Sequence, residues 1–452
     1  ILKADEKPGA AMYFTAYTRT DVKDPSSRPI TFCYNGGPGS SSTWLHMGGI
    51  GPRRIKMNDN GSSVPPPFAL EDNEYSLLDV TDLVFIDPVA TGWSRPLPGE
   101  NKTQFTGMNQ DIASVGEFIR AFISRFERWP SPKFLLGESY GTFRSAGLSG
   151  FLQGRQHGMY LNGIVLVSSV LDFQTIRSAS HHNLPYVLFL PHFTATAWYH
   201  QQLPDALQNR PLADVVDEVR QFAMDEYLPA LFRGNRLTDA EKDGIVRKLA
   251  AYTGLSENYI RMANLRVEHA RFVKELLRME RHTVGRLDSR FKGTDSDAAG
   301  ERYEYDPSSA VIQGAFSTML NQYLRTELNY NKPVPYNIYG NVYPWSYETP
   351  SADPRSRALG SSMMPSTAET LRQAMTENPF LQVFIANGYY DGATPFFGTE
   401  YTFSQMGLNK ELKDRVEMGY YEAGHMMYIN KPSLIKFKED VAAFIEKAAG
   451  RK

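Results

Sequence analysis

At 452 residues, with 42% hydrophobic and 22% charged side chains, the chain exceeds what one core comfortably organises, and nothing in its composition points to disorder. Forty-eight basic residues against 50 acidic ones leave a net charge of -2, which excludes the basic field that nucleic-acid binding requires. No apolar run approaches the ~20 residues needed to span a bilayer, and the single cysteine, Cys33, excludes an intrachain disulfide. Cytosol and bacterial periplasm both tolerate such cysteine usage. The chain opens on Ile1, which fits removal of a leader. A secreted or periplasmic location is therefore expected, with the signal peptide no longer visible.

The first third reads as strands alternating with helices. Ala11 to Thr18 and Ile30 to Tyr34 have strand character, the second ending in Asn35-Gly36-Gly37-Pro38-Gly39. Another short apolar strand covers Asp82 to Asp87. Residues 108–128 carry helical periodicity through Ile112, Val115, Phe118, Ile119, Phe122 and Phe126. Strand 133–137 then runs into Gly137-Glu138-Ser139-Tyr140-Gly141, a helix follows, and Gly163 to Val167 forms the next strand. This alternation predicts an α/β fold with a doubly wound, mostly parallel sheet.

After residue 174 the pattern becomes helical and charged. Thr238-x-x-Glu241 is a capping-box signature, and Ser256 precedes an amphipathic run through Arg278. Strands resume at 381–388 and Val416 to Tyr421, before a closing helix from Ser433 to Ala448. The expected organisation is an α/β core of residues 1–173 and 348–452, interrupted by a helical cap at 174–347. The proline-rich segment Pro333 to Pro354 is the expected return linker.

Gly-x-Ser-x-Gly at a strand-to-helix turn is the pattern of a nucleophile elbow, which predicts Ser139 as nucleophile. A serine hydroxyl needs a general base, itself oriented by a carboxylate. In α/β-hydrolases these follow in the order acid, then histidine, each after a late strand. Of nine histidines, only His425 follows the last strand, and Asp391 follows the strand before it. Asp391 is thus the expected orienting acid and His425 the expected base. The oxyanion hole needs two N–H donors, assigned to Tyr140, just after the nucleophile, and to Gly37 in the early glycine-rich loop. Those glycines lack the Gly-x-Gly-x-x-Gly spacing of a nucleotide site. His181-His182 has no ligand-spaced neighbours, so neither metal nor cofactor is expected. Trp44, Trp93, Trp198 and Tyr199 are candidates for apolar subsites.

Together, Asn35-Gly36-Gly37-Pro38-Gly39-Ser40-Ser41, Gly137-Glu138-Ser139-Tyr140-Gly141, Asp391 and Gly424-His425-Met426 resemble the serine carboxypeptidase family, over most of the chain. The resemblance implies peptide substrates with a free C-terminus, whose carboxylate Asn35, Gly36 and Glu138 would hold. It also implies that Met426 borders the leaving-residue pocket. A carboxyl group can hydrogen-bond a carboxylate only when protonated, so activity favoured at acidic pH is expected. Two departures stand out. Ser40 replaces a cysteine of eukaryotic members, and Gly49 lies near the place of a second glutamate, features that look bacterial rather than vacuolar. The competing readings are a carboxypeptidase-like acyltransferase or esterase with the same triad, and a non-catalytic binding protein. Association into a homodimer stays open.

Overall fold

The apolar runs of the first third and last quarter become the strands of one seven-stranded sheet: β1 Phe14–Tyr17, β2 Ile30–Tyr34, β3 Asp82–Ile86, β4 Lys133–Glu138, β5 Gly163–Val167, β6 Gln382–Gly388 and β7 Val416–Tyr421. The computed structural model describes residue 1 and residues 7–179, 181–347 and 364–450. Strand order is β7-β6-β5-β4-β2-β3-β1, parallel throughout except for edge strand β1, which runs antiparallel to β3. The sequence pattern for β1 spanned Ala11 to Thr18. The structure divides it, with Ala10–Ala11 pairing to Arg95–Pro96 and only Phe14–Tyr17 joining the large sheet.

Both faces of the sheet are covered, which is why its central strands read as unbroken apolar runs. Their two-residue period still sorts side chains between two cores. Phe32, Leu135 and Ile164 pack on one side with helices α1 (Met108–Arg125) and α2 (Tyr140–Gln153). Cys33, Phe134, Leu136 and Val165 pack on the other.

The insertion begins with helix α3 (Leu184–Tyr199), apolar on all sides and buried in a third cluster with Phe222, Leu249 and Phe272. The capping box forms as the sequence indicates, with Thr238 Oγ1 accepting from Glu241 N–H and the Glu241 carboxylate accepting from Thr238 N–H. The amphipathic run after Ser256 is not continuous. It divides into Glu257–Met262 and His269–Glu275 because Asn264 and Leu265 both adopt positive φ, 50° and 64°, which ends the first helix. The insertion also contains a hairpin, His282–Val284 with Lys292–Thr294. Helix α4 (Pro307–Thr326), though within the inserted sequence, packs Ile312, Phe316, Met319 and Leu320 into the second sheet-facing core. Residues 333–347 then run along the core loops, pairing Asn337 with Gly92, Tyr339 with Ser40, and Ser346 with Gly107. Pro350, Pro354 and the start of the second core segment, 348–363, lie outside the described residues. The chain closes with helix α5 (Lys431–Ala448).

Candidate active site

Strand order reverses beside β2: the chain leaves it for β3 on one side and β4 on the other. Crevices at such switch points, outside the carboxyl ends of the strands, are where α/β sheets bind ligands. The register pairs Tyr34 with Gly137, so the loop after β2 lies against the turn after β4. The approach is close enough that a Cβ on Gly36 would sit 2.4 Å from Tyr140 N and 2.7 Å from Glu138 O, which only glycine avoids. Ser139 itself holds φ 60° and ψ -130°, a conformation costing a non-glycine residue on the order of 1–3 kcal/mol. The turn ejects its side chain at the head of α2.

Asp391 and His425 follow β6 and β7, and Asp391 Oδ2 stands 2.8 Å from His425 Nδ1. Asp391 is fully buried. Burial alone would raise its pKa, but His425, the Thr394 hydroxyl at 2.7 Å and the Ala393 and Thr394 N–H groups at 2.8 and 3.0 Å hold it below the ordinary value. Burial likewise opposes a charged His425, and Asp391 outweighs it, leaving the imidazole pKa raised. With Nδ1 engaged by Asp391, Nε2 is the nitrogen left for chemistry. Ser139 and His425 line one cavity, though no hydrogen bond joins them here; such nucleophile–base contacts often tighten only with substrate.

On the other side of Ser139, Glu138 is 3% exposed. Burial pushes its carboxyl up to about 7, against the opposing pull of His425 and the Tyr428 hydroxyl that donates to Oε2. Asn35 uses Oδ1 to accept from Leu45 N–H at 3.1 Å, while its buried Nδ2 lacks a well-formed hydrogen bond and lies beside the Glu138 carboxyl, whose ionised form it favours. The cavity, about 210 Å³, is lined by Asn35, Gly36, Gly37, Glu138, Ser139, His425 and Met426 among the sequence-derived candidates. Asp391 stands behind His425. Tyr140 sends its ring into the core, over Phe143 and onto Asp111, and contributes only its backbone to the site. Of the four aromatic subsite candidates, Trp44 alone lines the cavity. Trp93 lies in a cluster with Tyr13 and Tyr330, Trp198 donates to Arg210 O, and Tyr199 packs on Tyr390.

The insertion supplies walls that sequence patterns did not reveal: Arg286, Leu287, Ser309, Ile312 and Tyr339. It also clamps both late loops. Gly392 N–H donates to Arg286 O at 3.0 Å, His425 N–H to Leu287 O at 2.6 Å, and Gly424 N–H to Asp288 Oδ2 at 3.1 Å. A Cβ on Gly424 would lie 2.4 Å from that of Asp288, so the flanking glycine admits the insertion as well as shaping the loop. Among the described residues, no group of three or more His, Cys, Asp or Glu is placed to hold a metal ion.

A family model for serine carboxypeptidases matches residues 1–439, a span containing every site residue above. The chain belongs to the serine carboxypeptidase family. Serine carboxypeptidase-like 34 of Arabidopsis thaliana is 24% identical over 431 residues, 89% of this chain and 73% of that protein. Serine carboxypeptidase-like 45 of the same plant is 27% identical over 178 residues, 38% of this chain and 35% of the other. A prohormone-processing carboxypeptidase of Saccharomyces cerevisiae shares the fold, with a TM-score of 0.56 at 15% identity, covering 99% of this chain and 88% of that one. The fold is that of the α/β-hydrolases. Within this carboxypeptidase frame the two departures acquire neighbours. Ser40 Oγ accepts from the Trp44 indole at 2.9 Å, fixing that wall. At Gly49 a Cβ would lie 2.6 Å from Tyr428, whose ring fills the space and whose hydroxyl reaches Glu138. The phenol is thus a hydrogen-bond donor to Glu138 beside the Gly49 departure.

Proposed function

We propose that this protein is a serine carboxypeptidase that removes C-terminal residues from peptides through an acyl-enzyme on Ser139. Ser139 Oγ attacks the scissile carbonyl as His425 Nε2 takes its proton. Asp391 holds the imidazole and stabilises its charged form. The oxyanion meets the Gly37 and Tyr140 N–H groups. His425 returns the proton to the leaving amine, and water then enters by the same base to release the acyl group.

The observation that carries the reading is Glu138, a buried acid held near 7 beside the nucleophile, next to the buried Nδ2 of Asn35. A neutral carboxyl and an amide donor suit the terminal carboxylate of a peptide, with Gly36 N–H as third donor. Glu138 binds when protonated, so KM is lowest below its pKa and climbs as pH rises through about 7. His425 must be neutral, so turnover falls toward low pH. The bound carboxylate disfavours ionised Glu138 and so draws the Glu138–His425 pair toward the form with both groups neutral. Activity is therefore favoured on the acid side of neutrality. Hydrolysis of a blocked dipeptide is compared with that of its C-terminal amide. Strong preference for the free acid supports the proposal, whereas equal rates favour an esterase or acyltransferase. Fluorophosphonate labelling lost in Ser139→Ala separates both from a non-catalytic binding protein. We also infer a bacterial-type member from the single cysteine and the Ser40 and Gly49 departures, and a secreted or periplasmic setting from its membership of the family; among the described residues no helix is long and apolar enough to cross a membrane.

A further inference from the structure

One strongly basic side chain in the cavity has no part in the reaction just described. Arg286 lines the pocket with its side chain exposed at the rim, and its guanidinium has no ion-pair or hydrogen-bond partner among the described residues. Its backbone, by contrast, is pinned: its N–H donates to Asp306 Oδ1 at 3.0 Å, and its carbonyl accepts from Gly392 N–H at 3.0 Å. Asp306 makes no ion pair with that guanidinium; its carboxylate caps α4, accepting from Ser308 N–H at 3.0 Å and Ser309 Oγ at 3.1 Å. Arg286 is close enough to His425 for its charge to oppose protonation there. A fixed backbone, an uncompensated cation and a place in the same small cavity are the marks of a residue that meets a ligand.

We infer that Arg286 makes this enzyme select peptides whose C-terminal residue carries an acidic side chain, glutamate above all. The inference rests on the carboxypeptidase reading, because it needs the leaving residue to lie between Ser139 and the carboxylate clamp. A residue held there by Asn35 and Glu138 has its side chain in a cavity walled by Trp44, Ile312, Met426 and Leu287, which Arg286 also lines. Those walls suit methylenes, and the exposed guanidinium at the rim suits a carboxylate, which it can meet with two parallel hydrogen bonds. A glutamate side chain satisfies both requirements. A lysine in the same place sets like charges together, and selection against it is as much repulsion as lost attraction.

The test compares kcat/KM for blocked dipeptides that differ only in a C-terminal Glu, Gln or Lys, in the intact enzyme and in Arg286→Gln, Arg286→Lys and Arg286→Glu. Preferences are taken within each variant, so a general loss of activity cancels. The expected result is a Glu-over-Lys ratio of about tenfold or more in the wild type, the scale of one charge-assisted contact. That ratio collapses in Arg286→Gln, keeps its sign in Arg286→Lys and reverses in Arg286→Glu. A wild-type enzyme indifferent to these side chains overturns the inference. So does an equal loss for all three substrates in Arg286→Gln, which would make Arg286 a ligand of the terminal carboxylate itself. If the wild type cleaves esters but no dipeptide, the carboxypeptidase reading fails and takes this inference with it.

Discussion

Two carboxyl groups flank the nucleophile, both buried, and their surroundings drive them in opposite directions. Asp391, behind the base, accepts hydrogen bonds from two backbone N–H groups and a hydroxyl as well as facing His425, and it stays ionised below its ordinary range. Glu138, on the clamp side, has the Tyr428 hydroxyl as its hydrogen-bond donor, with His425 pulling more weakly than burial pushes, and it rises to about 7. Burial penalises both anions. Donor number and the distance to a cation decide which one survives as an anion. One site therefore holds an ionised carboxylate beside His425 and a weakly acidic carboxyl beside Ser139, the pair that the proposed reaction calls for.

The difference can be broken from either side. Asp391→Asn removes the anion behind His425 and favours the wrong imidazole tautomer; kcat in a pre-steady-state or steady-state assay is expected to fall about ten-thousandfold, with KM little changed. Thr394→Val deletes one of the donors that keeps Asp391 ionised while preserving shape; kcat is expected to drop about tenfold, again without a change in KM. Glu138→Gln keeps a donor for the substrate carboxylate but cannot ionise. Its KM profile should be flat from about pH 5 to about pH 8, where the wild-type value climbs roughly fivefold over the last unit. The same substitution removes from the free enzyme an anion that raises the His425 pKa, so the acid limb of kcat/KM moves to lower pH, while that of kcat, set in the complex where Glu138 is already neutral, stays in place. The smallest effect belongs to Tyr428→Phe. The hydroxyl favours ionised Glu138, so its loss raises the Glu138 pKa and moves the climb in KM upward by less than about one pH unit. A downward movement would mean that Tyr428 acts on the clamp some other way.

Much of the sheet was legible because strand periodicity is local. Ile30–Tyr34, Gly163–Val167 and Val416–Tyr421 occur where their apolar runs predict. The run after Ser256 misled because amphipathic spacing persists across a turn that Asn264 and Leu265 make by entering the left-handed region. The site was legible to the extent that its members end strands: Asn35, Ser139, Asp391 and His425 each follow one. Thr394 lay within reach of sequence reasoning as a hydroxyl three residues after the acid. Arg286, Leu287 and Asp288 did not, since nothing around a short hairpin in the insertion marks residues that bind two loops of the core.

By itself the sequence determined the order of the sheet-forming segments and the residue types at their carboxyl ends, because alternation, turn glycines and the strand-to-helix elbow depend on neighbours along the chain. Only the tertiary structure decided what those groups are chemically. Glu138 becomes a weak acid because desolvation by many remote residues outweighs the hydrogen bond from Tyr428, 290 positions away. Arg286 reaches the cavity because its own backbone is tied to the loop that carries Asp391. Ionisation and proximity sum over everything nearby in space, and that sum is not written in any single stretch of chain.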